Sequence, residues 1–360
     1  MPTAVICELN PLHCGHKYII DHAKADGEPV ILVMSGNFTE RGTPSVYDKY
    51  VRAEAAVRMG ADLVLELPYP WCAAGVEAFA RGGVAVASAF GASRLVCGSE
   101  TGDGDYIRAL ASVKSSDEYR SAVLSAEKNA RDTGSAVIFD EVLRSFGISD
   151  APGANDKLAA EYLRFGRDLG VSDFTFVKRI AEKSASEVRE MLFSGTDVRE
   201  IDAIPDGAKA VFADSVLCRE ERFNDILFYN CRVCAEDSKN ELVRYAARVA
   251  YECRDSHDFI RDLPTKKYTL ARMRRTLLAD ILHADSDPTH LPDFTVLLGA
   301  SAKGREYLAS IRKDLSVELI TKPADARSEQ FALSSRADEL YCLCAGLPGG
   351  EMMRKKPYIG

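Results

Sequence analysis

The 360-residue sequence contains no apolar run of the roughly 18–20 residues that a helix needs to cross a bilayer. Its start, Met1-Pro2-Thr3-Ala4-Val5-Ile6-Cys7-Glu8, has neither the basic opening nor the long apolar stretch of a secretory signal. A cytoplasmic protein without membrane association is therefore expected, with its ten cysteines as reduced thiols. Low-complexity tracts and fixed-period repeats are missing too, which excludes solenoids and long disordered tails. Neither a P-loop pattern nor a Gly-x-Gly-x-x-Gly fingerprint occurs, removing the two commonest nucleotide-binding loops. There is no excess of positive charge: Lys+Arg 46 against Asp+Glu 54 leaves a net charge of -8, which excludes a simple polybasic nucleic-acid binder. The charge is uneven, however. Residues 1–150 carry 14 basic and 20 acidic side chains and residues 151–360 carry 32 and 34, so the acidity sits in the first part.

What is present is an alternation of short apolar runs with helical patterns. Ala4–Cys7, Pro29–Met34, Leu63–Leu67 and Arg94–Cys97 read as buried strands, and a further strand is expected at Asp173–Val177. Between them, Gly15–Lys24, Asp48–Met59 and Ala73–Ser88 have apolar residues at helical spacing, and Gly60 reads as a helix stop. Strands alternating with helices predict a parallel sheet with right-handed crossovers, hence a Rossmann-like α/β domain. The pattern then turns helical over Asp105–Ala130, Asn155–Gly170 and Ser184–Phe193. It stays so over Asn224–Cys231, Glu241–Tyr251 and Thr269–His283. A small α/β piece is expected at Phe294–Leu298 and Val317–Ile320. At about 100–200 residues per domain, two domains are expected. Gly, Thr, Asp and Pro cluster at Gly195–Pro205, dividing the chain into residues 1–200 and a mostly helical 201–360.

The sharpest motif is Asn10-Pro11-Leu12-His13-Cys14-Gly15-His16, between the first strand and the first helix. In a parallel sheet, ligands bind beyond the carboxyl ends of the strands. A helix start there offers free N–H groups and a positive dipole end, which favour a phosphate. Gly15 removes a Cβ from the approach, and His13 and His16 can both reach one phosphate and stabilise charge developing on it. Two of six histidines in one such loop argue against ordinary loop residues. A second phosphate cradle is expected where Ser184 and Ser186 open a helix carrying Arg189. Ser184 with Glu187 is equally an ordinary capping box.

The loop resembles the HxGH signature of the nucleotidylyltransferase superfamily, and Ser184-Ala185-Ser186-Glu187-Val188-Arg189 is similar to its second motif. The resemblance extends through Ser35-Gly36-Asn37-Phe38, Glu40-Arg41-Gly42, Asp48-Lys49, Arg52-Ala53-Glu54 and Gly60–Pro68. It continues through Gly98-Ser99-Glu100, Asn155-Asp156, Glu161-Tyr162, Lys178-Arg179, Thr265–Tyr268 with Arg272, Leu297-Leu298-Gly299, Lys303-Gly304 and Leu315–Val317. Together these resemble the bacterial tRNA(Met) cytidine acetate ligase family. Departures are Leu12 and Cys14, where that family has Phe and Asn, and only four residues between Arg179 and Ser184.

The resemblance implies an ATP-dependent ligase in which acetate attacks the α-phosphate of ATP. The acetyl group then passes to the wobble cytidine of elongator tRNA(Met). It implies an ATP-contacting segment Ile6, Cys7, Glu8, Leu9, Asn10, Pro11, Leu12, His13, Cys14, Gly15, His16, Lys17, Tyr18 and Ile19, with Gly98, Asn155 and Arg179. His13 and His16 are then the catalytic pair. Ser184, Ser186, Arg189 and Arg41 are expected at phosphates, and Lys49 and Arg52 at phosphates or RNA. Magnesium is expected with ATP, although no carboxylate cage is identifiable.

Pro264–Ala279 contains Lys266, Lys267, Arg272, Arg274 and Arg275 and no acidic residue, and Tyr268 supplies a ring for a base to stack on. Such a local basic surface suits tRNA backbone contact. Cys231 and Cys234, near Cys218 and Cys253, lack the second close pair of a zinc site, so no zinc is expected and buried thiols are. Cys14, beside the phosphate loop, is a candidate reactive thiol. Two other functions fit the residues: a nucleotidylyltransferase acting on a small phosphorylated acceptor, and a non-catalytic nucleotide- or RNA-binding paralogue.

Overall fold

The apolar runs of the first 180 residues form five strands: β1 (Thr3–Cys7), β2 (Val30–Ser35), β3 (Leu63–Leu67), β4 (Arg94–Ser99) and β5 (Asp173–Lys178). The computed structural model describes residues 1–130, 133–148, 151–180, 183–234, 238–285 and 288–360. All residues of β2 and β3 are buried, as in a parallel sheet covered by helices on both faces. β1 pairs in parallel with β2 and β4, β2 with β3, and β4 with β5. The chain runs outward from β1 to β3 and then returns to the other side of β1 as β4. This reversal opens a crevice at the carboxyl ends of β1 and β4, where such sheets take ligands.

Three later strands join the same sheet. β6 (Phe294–Ala300) pairs antiparallel with β3, and β7 (Glu318–Ile320) and β8 (Tyr358–Ile359) pair in parallel with β6. The small α/β piece of the C-terminal part thus completes the first sheet, and residue 200 does not separate two sheets. Asp62 seals this junction, accepting from the Ser301 hydroxyl at 2.8 Å and the Val30 N–H at 3.0 Å. The helices Glu220–Val233, Glu241–Glu252, Ser256–Asp262 and Leu270–Ile281 form a block against the loop after β2, where the Phe38 and Phe223 rings lie 5.7 Å apart. Cys218, Cys231 and Cys253 are buried in this region and Cys234 is exposed. The helical stretch expected over Asp105–Ala130 forms two helices, Gly104–Ser115 and Asp117–Asn129. Ser116 breaks it because its hydroxyl caps the second helix at the Tyr119 N–H.

Lys49 and Arg52 correct an expectation. Neither faces phosphate or RNA: they are 1% and 0% exposed. Lys49 lies between two buried carboxylates, 2.8 Å from Glu66 and 2.7 Å from Asp338 of the helix Phe331–Ala345. Arg52 donates to the carbonyl of Tyr47, just before its own helix, and to those of Glu8, Ser35 and Gly36, satisfying acceptors at the ends of β1 and β2. Both cations face inward because they lie on the buried side of the helix Lys49–Arg58, with Ala53, Ala55 and Ala56.

Candidate active site

The crevice between β1 and β4 is a cavity of about 410 Å³. The helix Cys14–Ala23 begins at it, and His13 is that helix's N-cap, its Nδ1 accepting the Gly15 N–H at 3.0 Å. His16 Nδ1 in turn accepts the His13 N–H at 3.3 Å, and the two rings lie 4.0 Å apart. Because each Nδ1 is an acceptor, each neutral ring carries its proton on Nε2 and keeps an N–H donor for a ligand. Burial lowers both pKa values, His13 to about 4 with Arg179 and Arg189 adding to the effect. His16 falls well below the ordinary range through burial, His13 and Arg179. Near neutral pH the loop therefore presents uncharged imidazoles at a helix N-terminus. Gly15 serves this arrangement directly: a Cβ there would lie 2.8 Å from the His13 ring.

The second motif closes over the first. Ser184 caps the helix Ala185–Phe193 in a reciprocal capping box with Glu187, so capping accounts for part of its role. Arg189 donates to the Asn10 carbonyl at 2.6 Å and to Ser186 Oγ at 3.1 Å, joining the two motifs. Ser184, Ser186, Arg189 and Arg41 all line the cavity. Arg179 lines it too, at the end of β5, its N–H bonded to the Ser99 carbonyl at 2.9 Å. Asn155 lines it at the start of the helix Ala154–Leu169, where the Glu100 carboxylate accepts from its N–H and side-chain amide.

Of the expected ATP-contacting segment, Ile6–Asn10, His13, Gly15, His16, Tyr18 and Ile19 line the cavity, as does Gly98. Pro11, Leu12, Cys14 and Lys17 are not in its lining. Leu12 is in the core, the Cys14 N–H bonds to the Ala203 carbonyl, and Lys17 pairs with Asp21 on the outer face of the helix. Sequence reading missed Glu40, Phe79, Leu158 and Tyr162, which also line it. A helical stripe marks Phe79, Leu158 and Tyr162 only as core, Glu40 sits in a loop with no pattern at all, and their meeting depends on the sheet order.

The basic stretch reaches the rim of this cavity. Arg275, on the helix Leu270–Ile281, donates to the side chain of Glu40 at 2.9 Å. Gly42 (φ 74°) lets the loop touch that helix: a Cβ would lie 2.7 Å from the Arg275 nitrogen. Arg274 is also engaged, with Glu220 at 3.0 Å and Asn224 at 3.2 Å. Expected as tRNA ligands, Arg274 and Arg275 instead pair with protein carboxylates. Lys266, Lys267 and Arg272 are exposed, and the charges of Lys267 and Arg272 lie 5.3 and 5.1 Å from the centre of the Tyr268 ring.

The chain resembles known proteins over nearly its whole length. The chain is 29% identical to the tRNA(Met) cytidine acetate ligase of Lactobacillus delbrueckii subsp. bulgaricus, over 94% of both chains. It is 29% identical to that of Latilactobacillus sakei subsp. sakei, over 94% of this chain and 93% of the other. The crystal structure of Thermotoga maritima TmcAL bound with alpha-thio ATP superposes with a TM-score of 0.89 at 25% identity, covering 100% of this chain and 99% of that one. Residues 1–352 match the family described as HIGH Nucleotidyl Transferase, and the chain belongs to that family.

Proposed function

We propose that the protein is an ATP-dependent tRNA cytidine acetate ligase. Acetate attacks the α-phosphate of ATP, the bond to the bridging oxygen breaks, and pyrophosphate leaves with that electron pair. The exocyclic amine of the wobble cytidine in elongator tRNA(Met) then attacks the acetyl carbonyl. AMP leaves, and the amine gives up one proton. The Nε2–H groups of His13 and His16, with Arg189, would stabilise charge on the α-phosphate and the leaving pyrophosphate.

The observation that carries this reading is the joining of a two-histidine helix start and a Ser/Arg helix start at one cavity, with Arg189 bonded to the Asn10 carbonyl between them. A nucleotidylyltransferase for a small acceptor has no need of Lys266, Lys267 and Arg272, exposed on the segment that leads to Arg275. Magnesium would enter on the triphosphate. Among the described residues, the cluster of Asp255, His257 and Asp258 could hold a metal ion, but it is not part of the cavity lining.

The test is exchange of labelled pyrophosphate into ATP. Exchange that requires acetate and disappears in His16→Ala supports the reading, and exchange that proceeds without acetate refutes the donor.

A further inference from the structure

One wall of the cavity holds a polar group that phosphate binding does not use. Side chains alternate along β1, so Val5 packs with the helix Cys14–Ala23 and Ile6 with the opposite face. On that opposite face Tyr162, from the middle of the helix Ala154–Leu169, lines the cavity with Ile6, Glu8, Phe79 and Leu158. Tyr162 is 1% exposed, and its hydroxyl has no hydrogen-bond partner among the described residues. Buried hydroxyls are nearly always paired, so an unpaired one in the wall of a ligand cavity points to a ligand atom. Burial, then Cys97, Cys7 and Glu8, holds the phenol well above its ordinary pKa, and it remains an O–H donor.

The position fits one reactant in particular. His13, His16, Ser184 and Arg189 gather where the two helices Cys14–Ala23 and Ala185–Phe193 begin, and would hold the phosphates and the leaving pyrophosphate there. In-line displacement needs nucleophile and leaving group on opposite sides of phosphorus. The nucleophile must therefore approach from another wall, and the Tyr162 wall belongs to the other face of the sheet. On that wall Ile6, Phe79 and Leu158 lie beside Tyr162, which suits an acid with a short hydrocarbon end, and Glu8 and Asn155 are further polar groups of the lining.

We infer that Tyr162 forms the subsite for the carboxylic acid donor, giving its O–H to the carboxylate oxygen that does not attack, with Ile6, Phe79 and Leu158 enclosing a two-carbon acyl chain. The inference rests on the ligase reading and adds the residue that holds its donor. In the step concerned, the other carboxylate oxygen forms the new bond to the α-phosphorus while the bond to the departing pyrophosphate breaks. Tyr162 keeps its proton throughout, and its bond passes from the carboxylate to the acyl carbonyl oxygen of the adenylate.

Tyr162→Phe keeps the ring and removes only the hydroxyl, so the fold is retained. In pyrophosphate exchange its KM for acetate should rise about 10- to 100-fold, as expected for one lost hydrogen bond to a charged group. Its KM for ATP should stay within about twofold. Phe79→Ala, which widens the same wall, should raise exchange with propionate relative to acetate. An acetate KM unchanged in Tyr162→Phe would overturn the inference, as would a rise in the ATP KM with acetate unaffected. Wild-type exchange with no acid present would instead refute the ligase reading, and the subsite with it.

Discussion

Replacing Lys49 by Met removes the cation held between two buried carboxylates and leaves both carboxylates in place. Lys49 is 1% exposed, Glu66 1% and Asp338 4%, so water cannot take over the lost bonds of 2.7–2.9 Å. Breaking a buried pair in this way costs about 3–5 kcal/mol, a large part of a typical stability of about 5–15 kcal/mol. The cost should depend on pH. Burial raises Glu66 to about 7 against the pull of Lys49, with Asp338 adding to the rise, and burial likewise raises Asp338. One ammonium neutralises one carboxylate, and without it both gain by binding protons. A folded state that binds more protons than the unfolded one gains stability as pH falls. Urea unfolding of wild type and Lys49→Met at pH 7.5 and pH 5.5 should therefore show a large penalty that shrinks on acidification. A penalty below about 1 kcal/mol, or one independent of pH, would show that Lys49 does not hold the two carboxylates. The salt dependence of tRNA binding should be the same in both proteins, because Lys49 reaches no surface.

The remaining expectations concern the cavity and its rim. His16→Ala should lower adenylate formation at least 100-fold, as loss of a transition-state donor does, while tRNA binding in a filter assay stays nearly unchanged. His13 is neutral down to about pH 4 in the free protein, and its Nδ1 stays free to accept the Gly15 N–H. Conversely, the unfolded chain protonates its histidines near 6.5 while folded His13 does not, so the ligand-free protein should lose stability as pH falls from 6.5 to 4. Replacing Lys266, Lys267 and Arg272 together by Ala should flatten the salt dependence of tRNA binding by about one unit of slope per lost phosphate contact. Pyrophosphate exchange should be unaffected by that triple change.

Much of this architecture is legible in the order of the amino acids. β1 to β4 are short apolar runs because both faces of a parallel sheet are covered, and the His13–His16 loop falls where the first strand meets a helix. Partnership across long sequence distances is not written in any one segment. β6 has the composition of a buried strand, but nothing in it specifies an antiparallel union with β3. Lys49 and Arg52 look like surface charges on a helix, and only Asp338, nearly 290 residues away, and the strand-end carbonyls explain their burial. Tyr162 reads as one core aromatic on an amphipathic helix, and its unpaired hydroxyl becomes visible only once the cavity is built. The halves of the basic stretch differ for the same reason: Arg275 meets Glu40 and Arg274 meets Glu220, whereas Lys266, Lys267 and Arg272 meet solvent.

Whether this cavity couples ATP cleavage to acetylation of a tRNA base is decided by nucleoside analysis. Purified protein is incubated with ATP, labelled acetate and total tRNA, and the digested nucleosides are separated. Label should appear in N4-acetylcytidine, confined to elongator tRNA(Met), with AMP and pyrophosphate formed in equal amounts. Consumption of ATP with no labelled nucleoside, or transfer of AMP itself to an acceptor, would contradict that coupling.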